Sequence, residues 1–239
     1  MNARLAALAT LLLALPAVRA SDTSTLIRWL LDKDRALEGI PFTEVVEAAT
    51  GKKIVPIDAE SDALWMANLG LILDRTLDAL NEPGHPIRSS GRINEASRFV
   101  EDRLIEEINR TPGWSASIPV TSAGSPQRSG YPDLRVKLPD GSVVYLDPKL
   151  YSTDSRRSSL RTFYYEPKTL TNKIQDDAHH LLIGVAHNGR SGTEFQLTGW
   201  ELVDVSRIRV QLKAEFQASN ADIYRDDTIV GKSSRLTGE

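Results

Sequence analysis

The segment PDLRVKLPDGSVVYLDPKLY, residues 132–151, has an apolar stretch on either side of a turn. Residues 138–142 read Leu-Pro-Asp-Gly-Ser, and the glycine can adopt the positive φ that such a turn requires. The flanking stretches, 133–138 and 143–150, are therefore predicted to be strands that pair antiparallel in a hairpin. This hairpin is the local unit from which the fold prediction starts.

Polar residues occupy defined positions on the predicted hairpin. Residues two apart in a strand point to the same face, so Asp147 and Lys149 share a face and Pro148 points away. Pro148 has no backbone N–H, so we predict that pairing fails locally there and that its carbonyl is free to bind. Asp133 begins the first strand, and the hairpin can bring it to the same end of the sheet.

Two carboxylates and a backbone carbonyl form a site of hard oxygen ligands. Asp133, Asp147 and the Pro148 carbonyl are thus candidate ligands of Mg²⁺, or of Mn²⁺ in its place. A neighbouring lysine, Lys149, can orient or help deprotonate a water, while the metal neutralises charge on a phosphate. The pattern predicts phosphodiester hydrolysis. The alternative is a solvated hairpin whose aspartates only begin and end strands.

The rest of the chain alternates helical and strand patterns. Helices are predicted over 24–50, with a second short helix opened by Pro41 and stopped by Gly51, and over 61–80, 93–108 and 169–178. Further strands are predicted at 116–121, 160–165, 180–187 and within 194–210. The fold class is α/β, a mixed central β-sheet flanked by helices. The loop 81–86 divides an N-terminal helical region, 21–84, from a main domain, 85–239.

Pro132-Asp133, a hairpin and then Asp147-Pro148-Lys149 resemble the PD-(D/E)XK motif of the restriction-endonuclease-like nucleases. The resemblance covers about 93–205. It implies that Asp133 and Asp147 bind metal, that Lys149 serves the water, and that Glu95 on the preceding helix supports the site. The third motif residue is Asp where many members have Glu, and Pro148 is unusual at the variable position.

A basic stretch follows the hairpin, with aromatic residues interleaved. Its members Arg156, Arg157, Arg161 and Lys173 are predicted to contact nucleic-acid phosphates. The alternative is a solvated loop followed by a core strand.

Composition sets limits on the chemistry. The chain of 239 residues has a formal net charge of −3 and no cysteine, which excludes a disulfide framework and a cysteine-based zinc site. His179 and His180 are adjacent in a predicted strand and point to opposite faces, so they cannot hold one metal together. His180 can line the site from the neighbouring strand, but the favoured interpretation is a packed or capped histidine.

The first twenty residues have the three regions of a secretory signal. Arg4 precedes an apolar run over 5–15, and Pro16 and Val18-Arg19-Ala20 follow. This run is shorter than the roughly 20 residues that span a bilayer. We predict a signal peptide, 1–20, cleaved after Ala20, and a secreted or periplasmic protein with no membrane association afterwards.

The combined prediction is an exported, Mg-dependent nuclease that acts on DNA, with RNA left open. Two alternative interpretations remain open. One is a non-catalytic module that keeps the nuclease fold and binds nucleic acid or protein. The other is a structural envelope protein in which Asp133, Asp147 and Lys149 lie far apart.

Overall fold

The computed structural model describes residues 20–32, 37–89, 93–158, 163–189, 195–213, 215 and 217–231. The predicted signal peptide before Ala20, and Arg161, lie outside these residues. The chain divides into two compact units, one of Ile40–Val210 and one of Met1–Gly39 with Gln211–Glu239. The predicted boundary after residue 84 falls inside the first unit. No helix in the described part of the chain is long and apolar enough to cross a membrane.

The unit that contains both chain ends has two described helices, α1 (Ala20–Asp32) and α5 (Asn220–Ile223). Within this unit the backbone N–H of Leu212 donates to the carbonyl of Leu37 at 2.9 Å.

A five-stranded mixed sheet forms the centre of the Ile40–Val210 unit. Its strands, in spatial order, are β2 (Ser115–Ser117), β3 (Leu134–Lys137), β4 (Val143–Ser152), β5 (His179–His187) and β6 (Leu197–Asp204). β4 and β5 are parallel, and the other neighbouring pairs are antiparallel. A second sheet pairs β1 (Ile40–Pro41) with β7 (Arg209–Val210). The predicted mixed α/β core is confirmed.

Helices cover both faces of the central sheet. They are α2 (Phe42–Thr50), α3 (Ala63–Leu80) and α4 (Ile93–Asn109). α2 begins after Pro41 and ends at Gly51, as the sequence predicts. Gly51 adopts the left-handed conformation, with a φ of 69°, which glycine permits.

The burial of β4 follows from these two layers. Val144 and Leu146 lie in the core cluster that includes α3 and α4, whereas Val143 and Tyr145 lie in the cluster that includes α2. Adjacent strand residues point to opposite faces, so a strand covered on both sides is apolar at successive positions. This explains the unbroken apolar run that precedes Asp147.

The connection from β4 to β5 corrects two predictions. The predicted helix over 169–178 is wrong, because these residues form turns, bends and irregular backbone. The described residues 163–165 of the predicted strand 160–165 are not in a strand either. Side chains hold the backbone here instead. The hydroxyl of Tyr145 accepts from the N–H of Gln175 at 2.9 Å and donates to Asp176 at 2.7 Å. Arg135 donates to both oxygens of Asp176 at 2.8 and 2.9 Å. These bonds compete with helical hydrogen bonding.

Candidate active site

The β3–β4 hairpin brings the two motif aspartates to one end of the sheet. Leu138 N–H donates to the Ser142 carbonyl at 2.9 Å across the predicted turn. The resulting register sets Leu134 opposite Leu146. Asp133 directly precedes the first of these residues and Asp147 directly follows the second, so the hairpin register makes them neighbours.

Lys149 lies between the two carboxylates. Its Nζ is 3.6 Å from Oδ2 of Asp133 and forms an ion pair with Oδ2 of Asp147. The structure thus brings Asp133, Asp147 and Lys149 together. This geometry excludes the rival in which the three residues lie far apart.

Burial and the neighbouring charges shift the pKa values of Asp147 and Lys149. The Asp147 side chain is 1% exposed, against 15% for Asp133 and 34% for Lys149. Desolvation, and then the charge of Asp133, raise the pKa of Asp147 to about 7, although Lys149 opposes them. Burial alone would lower the pKa of Lys149, but the two carboxylates outweigh it and raise that pKa. Lys149 is therefore a cation at neutral pH and can donate hydrogen bonds.

The carboxylate pair fits a hard divalent cation. Oδ1 of Asp147 is buried, and no described residue donates a hydrogen bond to it. A buried carboxylate oxygen without a partner is costly, and a cation would satisfy it. The described residues hold no cluster of three or more His, Cys, Asp or Glu able to bind a metal. Two carboxylates suit an ion that keeps several of its waters.

Pro148 differs from its predicted behaviour. β4 pairs with β5 without interruption from Val144 to Ser152, with Pro148 opposite Ile183. The prediction of a local break in pairing is therefore wrong. On the other side of β4, pairing with β3 has already ended at Leu146, so a missing N–H is tolerated here. The role of the Pro148 carbonyl as a ligand stays a prediction.

A carboxylate on α4 that the sequence analysis missed adjoins the site. Burial, and then the charge of Asp133, raise the pKa of Glu101. Glu101 also accepts from Arg128 at 3.3 Å. Glu95 lies in the first turn of α4, and its side chain is outside the described part of the structure. The position of Glu101 next to Val100, on the buried stripe of α4, was the available signal.

The predicted phosphate-binding residues occupy different environments. Arg156 is exposed and donates to both oxygens of Glu201, at 3.0 and 2.7 Å, while Arg157 is exposed. Lys173 is buried, and its Nζ donates to the carbonyls of Gln127 and Arg128 at 3.1 and 3.3 Å. Its ammonium thus holds the segment that leads to Asp133.

His180 lies in the core behind the site. Its Nδ1 is 2.7 Å from the Tyr131 hydroxyl, and the two rings stack at 5.8 Å. The peptide between Tyr131 and Pro132 is cis. Burial, and then the charge of His179, lower the pKa of His180 to about 3.

A glycine lies opposite Lys149 in the parallel pair. Gly184 is its register partner on β5. A Cβ at residue 184 would lie 3.1 Å from Cε1 of Tyr151. The Tyr151 hydroxyl donates in turn to Glu201 at 2.8 Å. The ring of Tyr151 therefore packs tightly against Gly184, and a side chain at that position would require the ring to shift by a few tenths of an ångström.

The mixed sheet flanked by helices has the architecture of a restriction-endonuclease-like core, and it carries the Asp133–Asp147–Lys149 group. The model of the type II restriction enzyme MjaV family matches residues 36–227, and the chain belongs to that family. Type II restriction enzyme MjaV from Methanocaldococcus jannaschii is 28% identical over 222 residues, which cover 87% of this chain and 94% of the relative.

Proposed function

We propose that this protein is a divalent-metal-dependent DNA endonuclease that hydrolyses phosphodiester bonds. The observation that carries the proposal is the contact of Lys149 with two carboxylates, one of them fully buried. Membership of a restriction enzyme family supports DNA as the substrate and endonucleolytic hydrolysis as the reaction.

Asp133 and Asp147 would hold Mg²⁺ or Mn²⁺, with the Pro148 carbonyl as a further ligand. The bound ion would supply a Lewis acid that neutralises charge on the scissile phosphate. Lys149 donates hydrogen bonds from its ammonium, which orients the attacking water and stabilises the negative charge that develops on the phosphate oxygens. Water attacks phosphorus and loses a proton to solvent, the bond from phosphorus to the leaving oxygen breaks, and that oxygen takes up a proton. Glu95 stays a proposed supporting residue.

The experiment pairs plasmid cleavage with calorimetric titration of Mg²⁺ and Mn²⁺. Lys149→Ala keeps both carboxylates, so we expect metal binding to persist while cleavage falls on the order of 10²–10³-fold. Asp147→Asn and Asp133→Asn should lose both properties. Lys137→Ala, an exposed lysine at the other end of β3, is the matched control and should cleave like the parent.

Two outcomes would overturn the proposal. Cleavage by Lys149→Ala at the parent rate would exclude the assigned chemistry. A parent protein that binds DNA but cuts neither DNA nor RNA with either metal would favour the non-catalytic binding module.

We also propose that the chain is exported. The composition of residues 1–20 supports this, and the family match begins after them, at residue 36. Mass spectrometry of the protein from each cell fraction tests it. Mature protein beginning at Ser21 in an extracytoplasmic fraction is expected, whereas full-length cytoplasmic protein would refute export.

A further inference from the structure

We propose that a cleft beside Asp133 binds a nucleobase of the DNA strand that the enzyme cuts. The inference rests on the proposed function only for the source of the base. Its chemistry comes from the walls of the cleft.

The cleft has a volume of about 140 Å³ and opens to solvent. One wall is the segment 127–131, which leads into Asp133, and the other is formed by residues 164–173 of the β4–β5 connection. Neither described wall contains a helix or strand. Lys173 ties the two walls together, because its Nζ donates to the carbonyls of Gln127 and Arg128.

Tyr131 joins the cleft to the active site. It lines the cleft and precedes Asp133 by two residues. A strand with a phosphate at the carboxylates could therefore place a neighbouring base in the cleft.

Two tyrosines give the cleft the chemistry that a base requires. The Tyr164 side chain is 61% exposed and offers a ring surface for stacking. Tyr165 is partly buried, and its hydroxyl oxygen is buried with no hydrogen-bond partner among the described residues. A buried hydroxyl without a partner carries a desolvation cost that a polar ligand edge would offset.

The charges of the cleft do not match a phosphate. Lys168 forms an ion pair with Glu166 at 2.9 Å, and the Lys173 ammonium is engaged by two carbonyls. None of the lining residues is an arginine. A flat, polar-edged ring fits these walls better than an anion does.

The test compares ligands with and without a base. The probes are the four deoxynucleoside 5′-monophosphates, deoxyribose 5-phosphate, a mixed-sequence single-stranded oligonucleotide, and an abasic oligonucleotide of equal length. Binding is followed at constant salt by amide NMR shifts of Gly130 and Thr171, which lies in the opposite wall. The Lys149→Ala variant serves as the host, so that DNA stays intact.

We expect the base-bearing oligonucleotide to shift both amides and the abasic one to leave them in place. Tyr164→Ala should weaken binding of the base-bearing strand about tenfold, and Tyr165→Phe about two- to tenfold. Tyr224→Ala, a tyrosine that is 68% exposed and does not line the cleft, should change nothing. Tyr165→Phe should also unfold at the same or a higher temperature, since it removes an unpaired buried hydroxyl.

The choice of probes also distinguishes a base of the DNA strand from the base of a free nucleotide. Shifts with monophosphates but not with the oligonucleotide would overturn the assignment to the DNA strand in favour of a free nucleotide. Equal shifts with the abasic probes, or none with any base-bearing probe, would overturn the nucleobase assignment itself. Failure of the parent to cleave DNA would refute the proposed nuclease function, yet these titrations would still decide the cleft's ligand.

Discussion

At the scale of single residues, Glu101 is the carboxylate whose role the sequence left unassigned. It shares Arg128 with Asp102, which accepts from the same guanidinium at 2.6 Å. Burial, and then the charge of Asp133, raise the pKa of Glu101 and Lys149 opposes the shift, which couples Glu101 to the Asp133–Asp147–Lys149 group. Asp102 thus provides a matched comparison, because it shares the arginine partner.

We predict that Glu101→Gln lowers cleavage about 10–100-fold, as expected for a group that supports metal ligands. Asp102→Asn should have a smaller effect, because it weakens the exposed ion pairs of Asp102 with Arg128 and Arg98 and keeps the Glu101 carboxylate. Plasmid cleavage rates in Mg²⁺, with urea unfolding to verify stability, are the measurements. Equal losses in both variants would assign the effect to Arg128 rather than to Glu101.

Sequence could identify Asp133, Asp147 and Lys149 because their convergence depends on local geometry alone. A turn and the two-residue period of a strand are enough to bring them together. Selecting Glu101 requires the rotation of α4 against the sheet, which tertiary packing sets. The burial of Lys173 could not be predicted from the sequence either, because tertiary contacts determine it. The carbonyls that its Nζ contacts belong to residues 45 and 46 positions away in the chain.

At the scale of elements, the non-helical β4–β5 connection depends on the Tyr145 hydroxyl. We predict that Tyr145→Phe lowers the free energy of unfolding by about 1–3 kcal/mol, because the N–H of Gln175 and the carboxylate of Asp176 each lose a partner. Urea unfolding measures this, with the exposed Tyr224→Phe as the control. Equal stability of the two variants would contradict the assigned role.

β5 carries a histidine that should make the fold sensitive to acid. His180 is neutral in the folded protein, with a pKa of about 3, and the unfolded chain titrates near 6.5. Below about pH 6.5 the unfolded state binds a proton that the folded state does not, so stability falls as pH falls towards 3. The loss is about 1.4 kcal/mol per pH unit.

We therefore predict that, between pH 7 and pH 5, the parent loses about 2 kcal/mol relative to His180→Gln. Paired urea titrations at each pH measure the difference, in which other titrating groups largely cancel. Parallel pH profiles for the two proteins would show that His180 is not the responsible group.

The β4–β5 connection also shows why the sequence pattern predicted a helix that the structure does not contain. Residues 169–178 are polar, as an exposed helix would be, yet Asn172 accepts from the N–H of Ile174 at 3.0 Å and Tyr145 accepts from that of Gln175. Bonds of this kind are invisible to helical periodicity. The apolar stripes of α3 and α4 were predictable because each repeats over four or more turns.

At the scale of the whole molecule, a net charge of −3 makes exposed cations without an acidic partner important for DNA affinity. Arg157 is exposed, and no ion pair joins it to a described residue, whereas Glu201 already holds Arg156. We predict that Arg157→Ala lowers the slope of log binding constant against log salt by about 0.9, and that Arg156→Ala lowers it less. Glu201→Gln should strengthen binding by releasing Arg156.

Salt series on a fixed duplex, by fluorescence anisotropy, measure these slopes for each variant. Equal slope changes for Arg156→Ala and Arg157→Ala would mean that DNA displaces Glu201 at no cost. No change in either would place the DNA elsewhere on the protein.

The ring of Tyr151 over Gly184 restricts the order in which substitutions can accumulate in this lineage. A Cβ at residue 184 would lie 3.1 Å from the ring, so a mutation there is tolerated better once residue 151 has become smaller. A smaller residue at 151 can arise first, and it would give up the contact with Glu201. Drift at this pair is therefore directional, and descendants that keep the tyrosine should also keep the glycine.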